Sequence, residues 1–345
     1  MGEIIGWSVK GKGVQKWDAL VNDIGEEYLT NFFVSFFFYT SQKRIAKNKL
    51  PDEFNKKYKV AAQNDFDFFF NMLKEAGILY GKLRSMATGV DKLDNILKDF
   101  KNLNFDQVYV ILFAAAYCYG EDVIKSSEYI AFASTLQTLV VRMQVCEKSM
   151  NKLDTLFSTC IDTMKNGGAS LPVITNKIKD EYENSIDDGQ FENAFENFAP
   201  TDNKVAEFYL RHIEDYVRRI NNNRSPVDRG LTVEHVIPQL YDLSDWYGDV
   251  AVPDEIIDDF KQSIVENIGN KLLLYGDDNS SARNNNYKKK IAVYKDGKRG
   301  QNQGTPEATF ILVKELLDEY PDRFNHEEVK LRAKQLAGYA KHIWK

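Results

Sequence analysis

The chain is poor in cysteine and histidine, with three Cys and four His in 345 residues. Cys118, Cys146 and Cys160 are odd in number, far apart and each set in an apolar stretch. They read as small buried hydrophobes of a reducing compartment. No CxxC pair occurs, which removes support for a structural zinc. Apolar runs long enough to span a membrane are missing too: the run Phe32 to Tyr39 is interrupted by Ser35 and falls far short of a membrane span. The opening MGEIIGWSVKGKG has no basic segment followed by an apolar one. A cytoplasmic protein with no membrane partner is the expectation. Prolines number only eight, and 43% hydrophobic residues with 22 Phe and 18 Tyr supply ample core material, so disorder does not dominate. Positive charge is not in excess. A net charge of −6 excludes indiscriminate coating of nucleic acid, so an enzyme acting on it would have to concentrate Lys and Arg locally.

The length favours two domains, each able to bury its own core. From about Trp17 to Asn222 the pattern is helical, as in Val108, Ile111, Leu112 and Ala115 at i, i+3, i+4 and i+7. Similar stripes cover Asp65 to Leu83, Ser127 to Val145, Leu153 to Met164 and Val205 to Ile220. Breakers stand at Gly120, Asn166-Gly167-Gly168 and Gly189. The cluster Phe66, Phe68, Phe69 and Phe70 reads as core packing rather than as a base-stacking platform. After Asn221-Asn222-Asn223 and Ser225-Pro226 the character changes. The run LTVEHVIPQ is strand-like, a long excursion follows with a helix starting near Pro253-Asp254, and Lys271 to Tyr275 supplies a second strand. Asp277-Asp278-Asn279 offers N-cap chemistry for a further helix. Two amphipathic helices, about Pro306 to Tyr320 and Asn325 to Trp344, close the chain and would give the marginal strand pair its core. The expected organisation is mainly α: a helical region at 1–200, then residues 201–345 with a two-stranded motif embedded in helices.

Phosphodiester hydrolysis needs a base for water, a cation against the charge building on phosphate, and donors that hold the scissile group. The segment 232–290 can supply all three. Glu234 and His235 are adjacent on a strand, so their side chains leave opposite faces. Imidazole suits a general base near neutral pH. One carboxylate and one amide oxygen, Glu234 and Asn279, suit Mg²⁺ or Mn²⁺ and leave positions open for water and phosphate. A calcium-loop reading of GDDNSS fails, for want of alternating oxygen ligands and a distal Glu. Between 283 and 299 lie Arg283, Lys288, Lys289, Lys290, Lys295, Lys298 and Arg299 against only Asp296, the local cationic excess that the whole chain lacks. His212, His326 and His342 have no motif around them and stay outside the site.

EHVIPQ followed by NIGNKLLLYGDDNSSARNNNYKKKIAVY resembles the HNH, or ββα-metal, nucleases, whose signature is Asp/Glu-His-x-x-Pro, a second-strand Asn, and a metal-binding Asn or His opening a helix. The detail of IGN-x-L-L-L, Asn279, Asn284, Tyr287 and Lys290 looks most like the C-terminal nuclease region of GmrSD-type modification-dependent restriction proteins. The spacing NKLLLYGDDN also resembles the HNH domain of RNA-guided CRISPR nucleases. Val329, Arg332, Leu336 and Trp344 are similar to the restriction family's terminal helix, so the resemblance spans roughly residues 200 to 345. Departures are Lys271 and Ala282, where the family often has Leu.

The resemblance implies His235 as general base, Asn270 as the residue orienting its imidazole, and Glu234 and Asn279 as ligands of Mg²⁺ or Mn²⁺. Arg283, Lys288 and Lys290 would contact DNA phosphate. It implies a metal-dependent endonuclease acting on double-stranded DNA, modified DNA included, in an anti-phage restriction system. Such systems pair this region with a nucleotide-dependent sensor. No GxxxxGK(S/T) loop is present here, so the sensor would be a separate module or subunit. Two other classes stay open: a non-catalytic nucleic-acid-binding or scaffold subunit, and an RNA-cutting nuclease.

Overall fold

The computed structural model describes residues 12–345 except 44, 224, 226, 229, 248–256, 258 and 298–303. The helix expected near Pro253-Asp254 lies mostly outside these residues, as do Pro226, Lys298 and Arg299. Among the described residues there are only two strands, in one two-stranded sheet, so the fold is mainly α. The chain divides into two compact units: Met1–Met143 with Lys148–Ser185, and Gln144–Glu147 with Ile186–Lys345. The limit at 185/186 differs by one helix from the sequence division at 200/201.

The first unit contains α1 Lys12–Ile24, α2 Leu29–Ser41, α3 Leu50–Asn64, α4 Phe66–Ser85, α5 Asp91–Asn102, α6 Val108–Tyr119, α7 Ser127–Val145, α8 Lys152–Lys165 and α9 Leu171–Ser185. The last residues of α7 fall on the other side of the division. Its centre is α6, whose Val108, Ile111, Leu112, Phe113 and Ala114 to Ala116 are all fully buried. Phe113 meets Phe32 of α2 edge-on at 6.3 Å and Tyr80 of α4 at 5.8 Å. Each such large side chain contributes about 1.5–3 kcal/mol on burial. The Phe66 to Phe70 cluster is core only in part. Phe69 and Phe70 are buried, whereas Phe68 is 72% exposed, because successive residues turn about 100° around a helix and cannot all face inward. Of the cysteines only Cys160 is buried; Cys118 and Cys146 sit at helix ends and are half-exposed.

The second unit begins with α10 Asp188–Glu196 and α11 Asn203–Ile220. Then come β1 Thr232–His235, the short α12 Ser244–Tyr247, β2 Lys271–Leu274, α13 Gly276–Ala282, α14 Tyr287–Asp296, α15 Pro306–Thr309, α16 Ile311–Glu319 and α17 His326–Ile343. Gly189 does not break a helix: it lies in the first turn of α10, whose N-cap Asp187 accepts from Gln190 N–H at 2.8 Å. That helix packs on α17, which is why it belongs to this unit. Asp277 to Asn279 do not precede α13 but form its first turn.

The helix expected over Pro306 to Tyr320 is split at Phe310, which is extended (φ −116°, ψ 122°) and buried. Glu214 explains the split. This buried carboxylate of α11 accepts the N–H groups of Ile311 and Leu312 at 2.9 and 3.0 Å, starting a new helix there with negative charge at its N-terminus. The closing helix is secured by a capping box between Asn325 and Glu328. Its Trp344 is buried among Phe195, Phe208, Tyr209 and His212, and His342 stacks on Tyr216, so these two histidines serve packing.

Candidate active site

The strands β1 and β2 pair antiparallel, with Glu234 opposite Leu272 and His235 opposite Lys271. Their alternation sends neighbouring side chains to opposite faces. Glu234 accordingly faces α14, where its Oε1 accepts from Lys290 Nζ at 2.5 Å and from Tyr294 OH at 3.1 Å. His235 faces the turn before β2, where Nε2 lies 3.3 Å from Glu266 Oε2.

Lys290 does not stand at the surface as expected of a phosphate contact. Tyr287, Lys290 and Tyr294 lie at i, i+3 and i+7, which turns all three inward, and Lys290 is 0% exposed. Its ammonium also donates to His235 O at 2.6 Å. Burial lowers the Lys290 pKa and raises that of Glu234 against the pull of the lysine charge. Arg283, Lys288, Lys289 and Lys295 are exposed.

Asn270 is fully buried and makes its side-chain bonds to backbone rather than to the imidazole. Its Nδ2 donates to Ile237 O and Val265 O, and Oδ1 accepts Ile237 N–H at 2.7 Å, while its own carbonyl takes Val236 N–H. It therefore braces the chain leaving β1. The turn that holds it, Ile268–Asn270, is pinned in turn by Arg332 of α17, whose Nη1 donates to Gly269 O and Lys271 O at 2.7 Å. A Cβ on Gly269 would overlap Val329 O and come within 2.8 Å of Ala333 N, so only glycine permits this approach.

The described partner of the imidazole is Glu266, which the sequence reading did not single out. Glu266 is 4% exposed; Oε2 also accepts from Lys271 Nζ at 2.8 Å and Oε1 from Gln239 Nε2 at 2.8 Å. Lys271 is itself 0% exposed and donates to Pro200 O as well. Burial would raise the Glu266 pKa, but the bonds from Lys271 and Gln239 and the lysine charge outweigh it and hold the carboxyl below its ordinary range. The His235 pKa is lowered, first by burial and then by Lys271. The available signals were position alone: Glu266 directly precedes Asn267-Ile268-Gly269-Asn270, and Lys271 stood out as a charge in an apolar strand.

Asn279, in α13, donates Nδ2 to Val233 O of β1 at 3.1 Å, which leaves Oδ1 as the atom of this amide able to meet a cation. Among the described residues no group of three or more His, Cys, Asp or Glu could cage a metal ion. The donor set beside β1 is one carboxylate and one amide. That fits a hydrated hard cation such as Mg²⁺, which keeps most of its waters, and not a closed structural site.

The unit is thus a β-hairpin clad in helices, with a buried carboxylate and a buried carboxylate–imidazole pair on opposite faces of one strand. Residues 185–339 match the family model for GmrSD restriction endonucleases, C-terminal domain. Comparison with curated proteins and with solved structures gives no significant match. Among the described residues no helix is long and apolar enough to cross a membrane.

Proposed function

We propose that the second unit is a metal-dependent endonuclease of the HNH kind that hydrolyses DNA, as the nuclease part of a cytoplasmic, modification-dependent restriction system directed at phage. The observation that carries the reading is the strand β1 itself. It holds Glu234 and His235 side by side, and Asn279 is tied by its amide to Val233 on the same strand. The order of the motif in sequence supports it, as does the family match over 185–339.

In this reading Glu234 and Asn279 would hold Mg²⁺ or Mn²⁺, which when bound would neutralise charge developing on the phosphate. His235 takes a proton from water. The water oxygen forms a bond to phosphorus, the bond from phosphorus to the 3′ oxygen breaks, and that oxygen leaves with the electron pair and picks up a proton from solvent. The products are a 5′-phosphate and a 3′-hydroxyl. Lys290 holds Glu234 in place within the fold, and Asn270 keeps the strand exit rigid. Exposed Arg283 and Lys288 meet the DNA backbone. A separate nucleotide-dependent sensor would supply selection of modified DNA.

Supercoiled plasmid incubated with the protein and Mg²⁺ or Mn²⁺ tests the reading. Nicking that EDTA abolishes, with RNA left intact in the same tube, supports it. A protein that binds DNA with sensor present yet never cuts would favour the non-catalytic subunit.

A further inference from the structure

We infer that Glu266 is a positioning residue that fixes His235 as its Nε2–H tautomer, leaving Nδ1 as the nitrogen that receives the proton from water. The inference rests on the reading of His235 as the base and names the atoms through which that base works.

The geometry is specific. Glu266 Oε2 stands 3.3 Å from His235 Nε2 and 2.8 Å from Lys271 Nζ, while Oε1 takes an N–H from Gln239 at 2.8 Å. Both oxygens of the carboxyl therefore face nitrogen donors, and one of them is a buried ammonium. A carboxylate held this way is anionic and can only accept. A hydrogen bond to it requires the proton on Nε2, and a neutral imidazole has only one, so Nδ1 carries the lone pair.

Each partner is fixed by an element rather than by chance. Lys271 is the cross-strand partner of His235, so ring and ammonium lie on one face of the hairpin. Glu266 follows the π-helical turn Lys261–Val265, with its N–H bonded to Lys261 O at 2.9 Å, and precedes Asn267, whose side chain accepts Gly269 N–H and donates to Glu196 O. Gln239 links the carboxylate to the segment leaving β1. Lys271 also has an electrostatic role. A bare carboxylate beside the base would repel a phosphodiester, and the buried ammonium cancels that charge. This explains a lysine in an otherwise apolar strand.

The experiment is ¹⁵N NMR of the histidine rings in the full chain, above neutral pH, without metal or DNA. Four histidines make the spectrum tractable, and His235→Ala assigns the signal. Wild type should show His235 protonated on Nε2. Glu266→Gln should leave a mixture of tautomers, and so should Glu266→Gln with Lys271→Met, which removes the buried lysine left without its partner. In cleavage assays both variants should lose about 10- to 100-fold in kcat with KM for DNA unchanged. A wild-type ring protonated on Nδ1, or a wild-type tautomer retained in the double variant, overturns the inference. Because the NMR needs no activity, it fails or holds independently of the nuclease reading, which fails instead if His235→Ala still cuts DNA.

Discussion

Lys288 and Lys290 are two positions apart on α14 and face different media. Lys288 is exposed, whereas Lys290 is enclosed with its charge spent on Glu234 and His235 O. Their substitution should separate accordingly. Lys288→Ala and Arg283→Ala are expected to weaken DNA binding and to reduce the salt slope of log K by about one each. Lys290→Met should leave the slope as it is but destabilise the fold by about 3–5 kcal/mol, since it strands a buried carboxylate. Fluorescence anisotropy over a salt series and denaturant melts check the two halves; a lowered slope for Lys290→Met would refute its placement. At this scale the sequence conveyed which residue types gather, but not which face Lys290 takes. A basic run reads as one patch until the period of α14 assigns Lys288 and Lys289 outward and Lys290 inward. Glu266 was illegible for a related reason: its tie to His235 spans 31 positions and belongs to no local pattern.

The turn Ile268–Asn270 shows how one element positions another. Gly269 lets it touch α17, Arg332 pins it there, and Asn270 passes that restraint to the residues following His235. Gly269→Ala should therefore cost about 1–3 kcal/mol, as overpacking does, seen as a lower denaturant midpoint with unchanged slope. An unaltered midpoint would mean the close approach is not needed. Element boundaries followed local chemistry well. Ser127–Val145 falls where its period puts it, and the strands at 232–235 and 271–274 lie inside the strand-like runs 231–239 and 271–275, the first ending four residues early. The miss at Phe310 has a tertiary cause, because Glu214, some 97 residues earlier, supplies the charge that begins α16. Gly189 misled because a glycine in a first helical turn costs little when Asp187 caps it.

At the scale of the molecule, each unit has its own core, and the site belongs wholly to the second. Titration of that unit has a definite sign. His326 is bonded through Nδ1 to Tyr247 OH at 2.7 Å, and its pKa is lowered by burial, with Glu327 and Glu328 opposing and Lys330 assisting. The unfolded chain then binds the proton more readily than the fold. The contribution of His326 is present above the ordinary histidine pKa and is lost as pH falls through the lowered value. Between about pH 8 and pH 5 the stability of wild type should fall more than that of His326→Asn. Equal slopes in denaturant melts would show that the ring is not held neutral.

The most direct test of the central claim is single-turnover cleavage of double-stranded DNA with Mg²⁺ by wild type and by His235→Ala, at matched folded fraction. A loss of about 10²- to 10⁴-fold in the variant is the predicted result, the worth of a general base. Cleavage at the wild-type rate would contradict the account, because the strand β1 would then not carry the chemistry.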